Sequence, residues 1–166
     1  YGIGQGYLLT TPLQVNSWTE IVANGGELYQ PQLVKSNPPA DGQNPKSKDI
    51  LSDKTIETIR NGMIEACKGP KGTAWPLFEF KVKNEKLKID GRNFTEVTAA
   101  SGSAAVKKEG EVGITIACKT GTAQHGGEDD LPHAWITLFA PAYDPEIVIT
   151  ILQESAGEGS SEAGPV

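Results

Sequence analysis

Three extended runs in the last third of the chain constrain its fold more than any other feature. Residues 112–122, 133–140 and 146–154 are dense in Ile, Val, Thr, Phe and Trp, and turn-forming residues separate them. Connections this short favour antiparallel neighbours, because a parallel crossover needs a dozen or more residues and usually a helix. An antiparallel meander is therefore predicted. The second and third runs are apolar on both faces, so helices or another layer should cover both sides of the sheet.

The first run ends unusually, in Ile114-Thr-Ile-Ala-Cys-Lys-Thr-Gly-Thr-Ala-Gln124. Strand alternation puts Ile114, Ile116, Cys118 and Thr120 on one face, and Thr115, Ala117 and Lys119 on the other. An apolar strand thus finishes in a cation, a hydroxyl, a glycine and a second hydroxyl. Lys119 offers a compact positive charge, and Thr120 and Thr122 offer directed donors. Gly121 leaves room for close approach to the backbone. Two readings follow, an anion-binding strand end or a plain strand end running into a turn.

The 166 residues suffice for one domain with a real core, or for part of a larger one. The chain opens at Tyr1 inside a glycine-rich phrase and closes on Gly164-Pro165-Val166, so it reads as a piece of a longer protein. No run is apolar enough to span a bilayer, and any signal or anchor would have to precede Tyr1. A net charge of −6 argues against a nucleic-acid partner, which usually requires a basic face. Lys81, Lys83, Lys86, Lys88 and Arg92 are the local exception and read as the solvated face of a strand or hairpin. Cys67 and Cys118 each sit in an apolar pattern, one helical and one extended, and are predicted to be buried free thiols rather than a disulfide. Two histidines without a cysteine pair or a suitably spaced carboxylate make a metal site improbable, and no cofactor is expected.

Two helices precede the strands. The first is predicted from Thr10-Thr11-Pro12 to Asn24-Gly25-Gly26, with a hydroxyl cap, proline in its first turn and Val15, Trp18, Ile21 and Val22 on one side. The second is capped by Ser52, carries Ile56, Ile59, Met63 and Cys67, and ends at Gly69-Pro70. Short extended pieces are expected near Tyr29 and Leu33-Val34, a loop over 37–49 and a hairpin over residues 80 to 90. The tail from Ser155 could cap a further helix.

Taken together, the phrases are more informative than any one of them. Lys119-Thr120-Gly121-Thr122-Ala123-Gln124, Gly4-Gln5-Gly6 with Thr11-Pro12-Leu13-Gln14 and Ala23-Asn24-Gly25-Gly26, and His133-Ala134-Trp135 with Phe139-Ala140-Pro141 occur in a consistent order. Gly72-Thr73-Ala74 and Ala163-Gly164-Pro165 agree with them. In these motifs the chain resembles the C-terminal part of the transpeptidase domain of a class B, penicillin-binding protein 2-like enzyme. The resemblance covers nearly all of residues 1–166.

That resemblance implies an α+β fold of the β-lactamase/transpeptidase type, an antiparallel sheet flanked by helices with an all-helical region beside it. It implies three converging motifs, S-x-x-K, S-x-N and K-T-G. None of the nine serines is followed by lysine three residues on or by asparagine two residues on. The nucleophile and its base are thus expected before Tyr1, and the chain alone is expected to be inert. Lys119 would supply positive potential, the hydroxyls of Thr120 and Thr122 with Gly121 between them would hold a carboxylate, and the Thr122 N–H would form half of an oxyanion hole.

The implied activity is peptidoglycan D,D-transpeptidation through an acyl-serine, at the outer face of a bacterial membrane. Expected ligands are stem peptides ending in D-Ala-D-Ala and β-lactams, and expected partners are cell-wall synthesis membrane proteins. A D,D-carboxypeptidase or serine β-lactamase, and a non-catalytic sensor or scaffold, are the competing readings. Gln124 and His125 read as a polar loop or as substrate contacts, Trp135 as a core aromatic or a site-lining one, and Glu128, Asp129 and Asp130 as a solvated loop.

Overall fold

A computed structural model describes residues 4, 6–33, 44–68, 71–74, 87–89, 92–94, 115–127 and 129–166. Helix α1 spans Pro12–Ala23 and helix α2 spans Asp53–Cys67. Strands follow at Leu87–Ile89 (β1), Arg92–Phe94 (β2), Ala117–Ala123 (β3), His133–Ala140 (β4) and Ile147–Gln153 (β5). A short π-helical turn covers Gly159–Ala163.

The meander forms as expected. β3, β4 and β5 are antiparallel neighbours in chain order, with Lys119 opposite Thr137 and Thr137 opposite Thr150. β1 and β2 make a separate antiparallel hairpin at the far end of the expected 80–90 segment, whose residues 80–86 lie outside the described ones. The strand expected over 112–122 begins later: Thr115 and Ile116 precede β3, and 112–114 lie outside the described residues. The expected extended piece near Tyr29 is a single bridge between Leu28 and Ser47; Leu33 is exposed, and Val34 with residues 37–43 lies outside the described residues.

Both helices start where their hydroxyl caps dictate. Thr11 Oγ1 accepts from the Gln14 backbone N–H while the Gln14 side chain accepts from the Thr11 N–H, which satisfies two orphan donors of the first turn. Ser52 Oγ accepts from the Thr55 N–H in the same way. α1 ends because Gly25 and Gly26 take positive φ, +87° and +103°, and the Gly26 N–H turns back to the Ile21 carbonyl oxygen.

The helix faces differ from the expected stripes. In α1 the buried set is Thr19, Ile21, Val22 and Ala23, whereas Trp18 is exposed. Thr19 is buried because its hydroxyl has a polar partner on the sheet: Thr19 Oγ1 lies 2.8 Å from Thr137 Oγ1, which lies 2.8 Å from Thr150 Oγ1. Thr150 Oγ1 donates in turn to Asn16 Oδ1 at 3.1 Å. Buried hydroxyls are tolerated when bonded in this way. In α2 the packed residues are Ile56, Met63, Ile64 and Cys67, and Ile59 faces solvent.

The sheet is packed on both faces. Val22, Ala23 and Ile64 meet Ala117, Phe139 and Ala142 on the side of the two helices. Ala163 and the half-buried Ala156 of the C-terminal segment cover Ala134 and Ile136 on the other. Ala74 is fully buried beside Cys67 and Cys118, tied by its N–H to the Ala66 carbonyl oxygen at 3.0 Å.

One expectation is corrected here. Cys67 and Cys118 are joined as a disulfide, with their Cα atoms 5.8 Å apart, and neither is a free thiol. The reason is tertiary. Cys67 is the last residue of α2 and Cys118 the second residue of β3, and the two elements pack together so that both side chains point into one apolar cluster. The bond closes a loop across a sequence separation of 51 residues, for which chain-entropy arguments give a stabilisation of roughly 4 kcal/mol. Intact mass should therefore rise by two hydrogens on reduction under denaturing conditions, and Cys67→Ser should lower the unfolding midpoint. Free thiols in the unreduced chain would contradict the pairing.

Candidate active site

Lys119, Thr120, Gly121 and Thr122 are consecutive residues of β3, opposite Thr137, Ile136, Trp135 and Ala134 of β4. The pleat sends Lys119 and Gly121 to the face shared with Ala117, and Thr120 and Thr122 to the face shared with Cys118. Ala117 and Cys118 are both fully buried, whereas Lys119 and Thr122 are exposed and Thr120 and Gly121 half-buried. The strand therefore leaves the core with its first two residues anchored and delivers the next four to the surface. Among the described residues β3 has β4 as its one partner, so it forms a sheet edge. Every second N–H of an antiparallel edge strand points away from its neighbour and can meet a ligand.

The Lys119 ammonium folds onto the carbonyl oxygen of Thr120. Gly121 lies against Trp135, where a Cβ on the glycine would stand 3.3 Å from the Trp135 Cβ. Trp135 is half-buried and lies directly across from the glycine, beside the strand end and outside the buried clusters described above. Thr122 is engaged from the C-terminal segment: its Oγ1 accepts from the Gly159 N–H at 3.2 Å.

Sequence reasoning missed that last contact. Gly159 is buried against β3 and β4 so closely that a Cβ would overlap the carbonyl oxygens of Gly121 and Trp135. A glycine in a polar Gly/Ser/Glu tail carries no such signal, because its partners are 24 or more residues away in sequence. Gln124 and His125 follow β3 directly. His125 stacks on His133, the first residue of β4, with ring centroids 3.8 Å apart and planes 14° apart. The loop between them is polar: Asp129 and Asp130 are exposed, and Asp130 accepts from the Gly127 N–H at 2.8 Å, while Glu128 lies outside the described residues.

A cleft of about 840 Å³ opens elsewhere, between α1 and residues 143–148, and includes none of residues 119–122. It borders Glu20, whose carboxyl is pushed above its ordinary value by burial. Residues 119–122 thus form one wall along the strand end, a cation with flanking hydroxyls, with Lys119 and Thr122 exposed and Thr120 and Gly121 half-buried, a set suited to an anionic group.

A strand-borne wall of this kind, on an antiparallel sheet covered by helices, is the arrangement of the transpeptidase/β-lactamase fold class. The sequence profile of the penicillin-binding protein transpeptidase domain matches residues 1–91 and 81–166, so the chain belongs to that family. It is 33% identical over 179 aligned positions to the peptidoglycan D,D-transpeptidase MrdA of Haemophilus influenzae, covering 99% of this chain and 24% of that protein. Among solved structures, penicillin-binding protein 2 in a complex with MreC from Helicobacter pylori shares 34% identity over 99% of this chain and 24% of that one, with a TM-score of 0.66. The ceftriaxone acyl-enzyme complex of penicillin-binding protein A from Mycobacterium tuberculosis gives 25% identity, 98% and 32% coverage, and a TM-score of 0.62. The chain spans about a quarter of the length of the curated relatives it matches.

The close seating of Gly159 makes a direct prediction. Gly159→Ala forces the C-terminal segment off β3, at a cost of roughly 1–3 kcal/mol in stability. Thermal unfolding should show the loss; an unchanged midpoint would mean that the segment does not press on the strand as described.

Proposed function

We propose that residues 1–166 are the C-terminal segment of the transpeptidase domain of a peptidoglycan D,D-transpeptidase, and that β3 is the binding wall of its active site. The observation that supports this most is the run of Lys119, Thr120, Gly121 and Thr122 on a strand with one sheet neighbour among the described residues, in a chain of this family. The substrate is a stem peptide ending in D-Ala-D-Ala, whose terminal carboxylate is an anion. Lys119 supplies positive potential, and the hydroxyls of Thr120 and Thr122 donate to the carboxylate in charge-assisted hydrogen bonds. Gly121, without a side chain, lets the ligand reach the backbone, and the Thr122 N–H stabilises the oxyanion. Loss of one such donor typically costs roughly 3 kcal/mol, about a hundredfold or more in rate.

The nucleophilic serine and its lysine base belong to the part of the protein preceding residue 1. The serine oxygen attacks the carbonyl of the penultimate D-Ala; the peptide bond to the terminal D-Ala breaks, and its nitrogen leaves with the serine proton. An amine from a neighbouring strand then displaces the serine and completes the cross-link. β-Lactams present a similar carbonyl and carboxylate and stop at the acyl-serine, in keeping with the ceftriaxone acyl-enzyme complex named for the Mycobacterium tuberculosis relative. The same reading puts the enzyme at the extracytoplasmic face of a bacterial membrane, anchored by a preceding segment. Its partners are cell-wall synthesis membrane proteins, in keeping with the MreC complex of the Helicobacter pylori relative.

In the complete protein, Lys119→Ala should abolish labelling by a fluorescent penicillin while leaving the unfolding free energy within about 1 kcal/mol of native, since the side chain is exposed. Residues 1–166 alone should take no label. Undiminished labelling of the variant would overturn the role of Lys119, and covalent uptake by the isolated segment would mean that the nucleophile lies within it.

A further inference from the structure

Ser155 is one of two non-glycine residues among the described ones with positive φ, at 50°. Few side chains tolerate that region without compensation, and strain of this kind is kept where surrounding bonds impose it. Here the bonds are to two imidazoles. The Ser155 N–H donates to Nδ1 of His133 at 2.9 Å, and Ser155 Oγ lies 3.1 Å from Nε2 of His125. The two rings stack. One turn further on, the Gly157 N–H, itself at φ +116°, donates to the Pro132 carbonyl oxygen at 2.9 Å. Two residues later comes the Gly159 N–H, which donates to Thr122 Oγ1.

These contacts form one clasp. His125 extends from the end of β3 and His133 opens β4, so the β3–β4 loop brings both rings to one point. The turn after β5 is pinned there at Ser155 and Gly157, and its next contact is the Thr122 hydroxyl. A backbone N–H can only donate, so Nδ1 of His133 must accept and carries no hydrogen. The contact needs an acceptor two bonds from Cβ, which explains why an imidazole, rather than an apolar ring, stands at this half-buried position.

We propose that His133 is a positioning residue for acylation: by accepting from Ser155 it holds the 155–159 turn on the sheet, and the turn's Gly159 N–H fixes the Thr122 hydroxyl toward the substrate carboxylate. This rests on the reading of Thr122 as part of the binding wall. His133 itself need not touch the ligand. The chemistry predicts which replacements work. Asn offers an amide oxygen two bonds from Cβ, where Nδ1 stands, and can keep the Ser155 contact. Phe keeps the ring and its stacking surface but has no acceptor, and Gln carries its acceptor one bond too far out.

The test uses the complete protein and measures the second-order rate of acylation by a fluorescent penicillin. His133→Phe should lower it about tenfold, the scale of one lost positioning hydrogen bond. His133→Asn should stay within about threefold of native on the same scale. In a Thr122→Ala background, which lacks the hydroxyl to be positioned, His133→Phe should have no further effect. If Phe is not accommodated and the variant fails to fold, His133→Gln takes its place with the same expectation. A native rate in His133→Phe, equal losses in Phe and Asn, or an undiminished effect of Phe in the Thr122→Ala background would each overturn the inference. Native protein that takes no penicillin at all would instead contradict the transpeptidase reading itself.

Discussion

The pairing register between β3 and β4 is the constraint on which the rest of the molecule depends. With Ala117 opposite Phe139 and Lys119 opposite Thr137, the pleat assigns every following residue to a face. A slip of one residue would send Lys119 and Gly121 to the side of the C-terminal segment, and Thr120 and Thr122 to the side of the helices. The register is held from several directions. Phe139 and Ala117 are sealed beneath Val22 and Ile64, Cys118 is bonded to the end of α2, and Thr137 is locked into the hydroxyl chain from Thr19 to Thr150. The strand is thus fixed at its first two residues by apolar burial and a covalent bond, and its exposed continuation inherits that rigidity. Binding groups on such an element hold their geometry better than groups on a loop.

The C-terminal segment completes the same design from the other face. Its Ala163 fills the space over Ala134 and Ile136, Gly159 approaches the carbonyl oxygens of Gly121 and Trp135, and the Gly159 N–H reaches Thr122. The two faces of β3 therefore have different tasks. One is packed by the helices around Ala117, and the other is tied to the end of α2 at Cys118 and met by the C-terminal turn at Thr122. In the proposed enzyme this separates stability from substrate contact, because the anchoring Ala117 and Cys118 are fully buried while the residues that bind are exposed or half-buried.

Much of this was legible in the sequence for identifiable reasons. The caps at Thr11 and Ser52, the strand at 133–140 and the order of the meander are local signals, set by hydroxyl chemistry, β-branched content and connection length. The lysine-threonine-glycine phrase is local as well, since consecutive residues of one strand suffice to carry it. Interactions between distant elements were not legible. Thr19 in place of Trp18 on the buried face depends on a threonine 118 residues later. The pairing of Cys67 with Cys118 depends on where α2 ends against β3, and the stripe of α2 turned from Ile59 to Ile64 for the same reason. The contacts of His133, Ser155 and Gly159 close only when the β3–β4 loop and the turn after β5 fold to the same end of the sheet.

A structure of the complete protein acylated by a penicillin tests the central claim most directly. The acyl carbonyl oxygen is expected within hydrogen-bonding distance of the Thr122 backbone nitrogen, with the penicillin carboxylate against the hydroxyls of Thr120 and Thr122 and near the Lys119 ammonium. An acyl group attached elsewhere, or a carboxylate held by residues outside β3, would contradict the account of this strand as the binding wall.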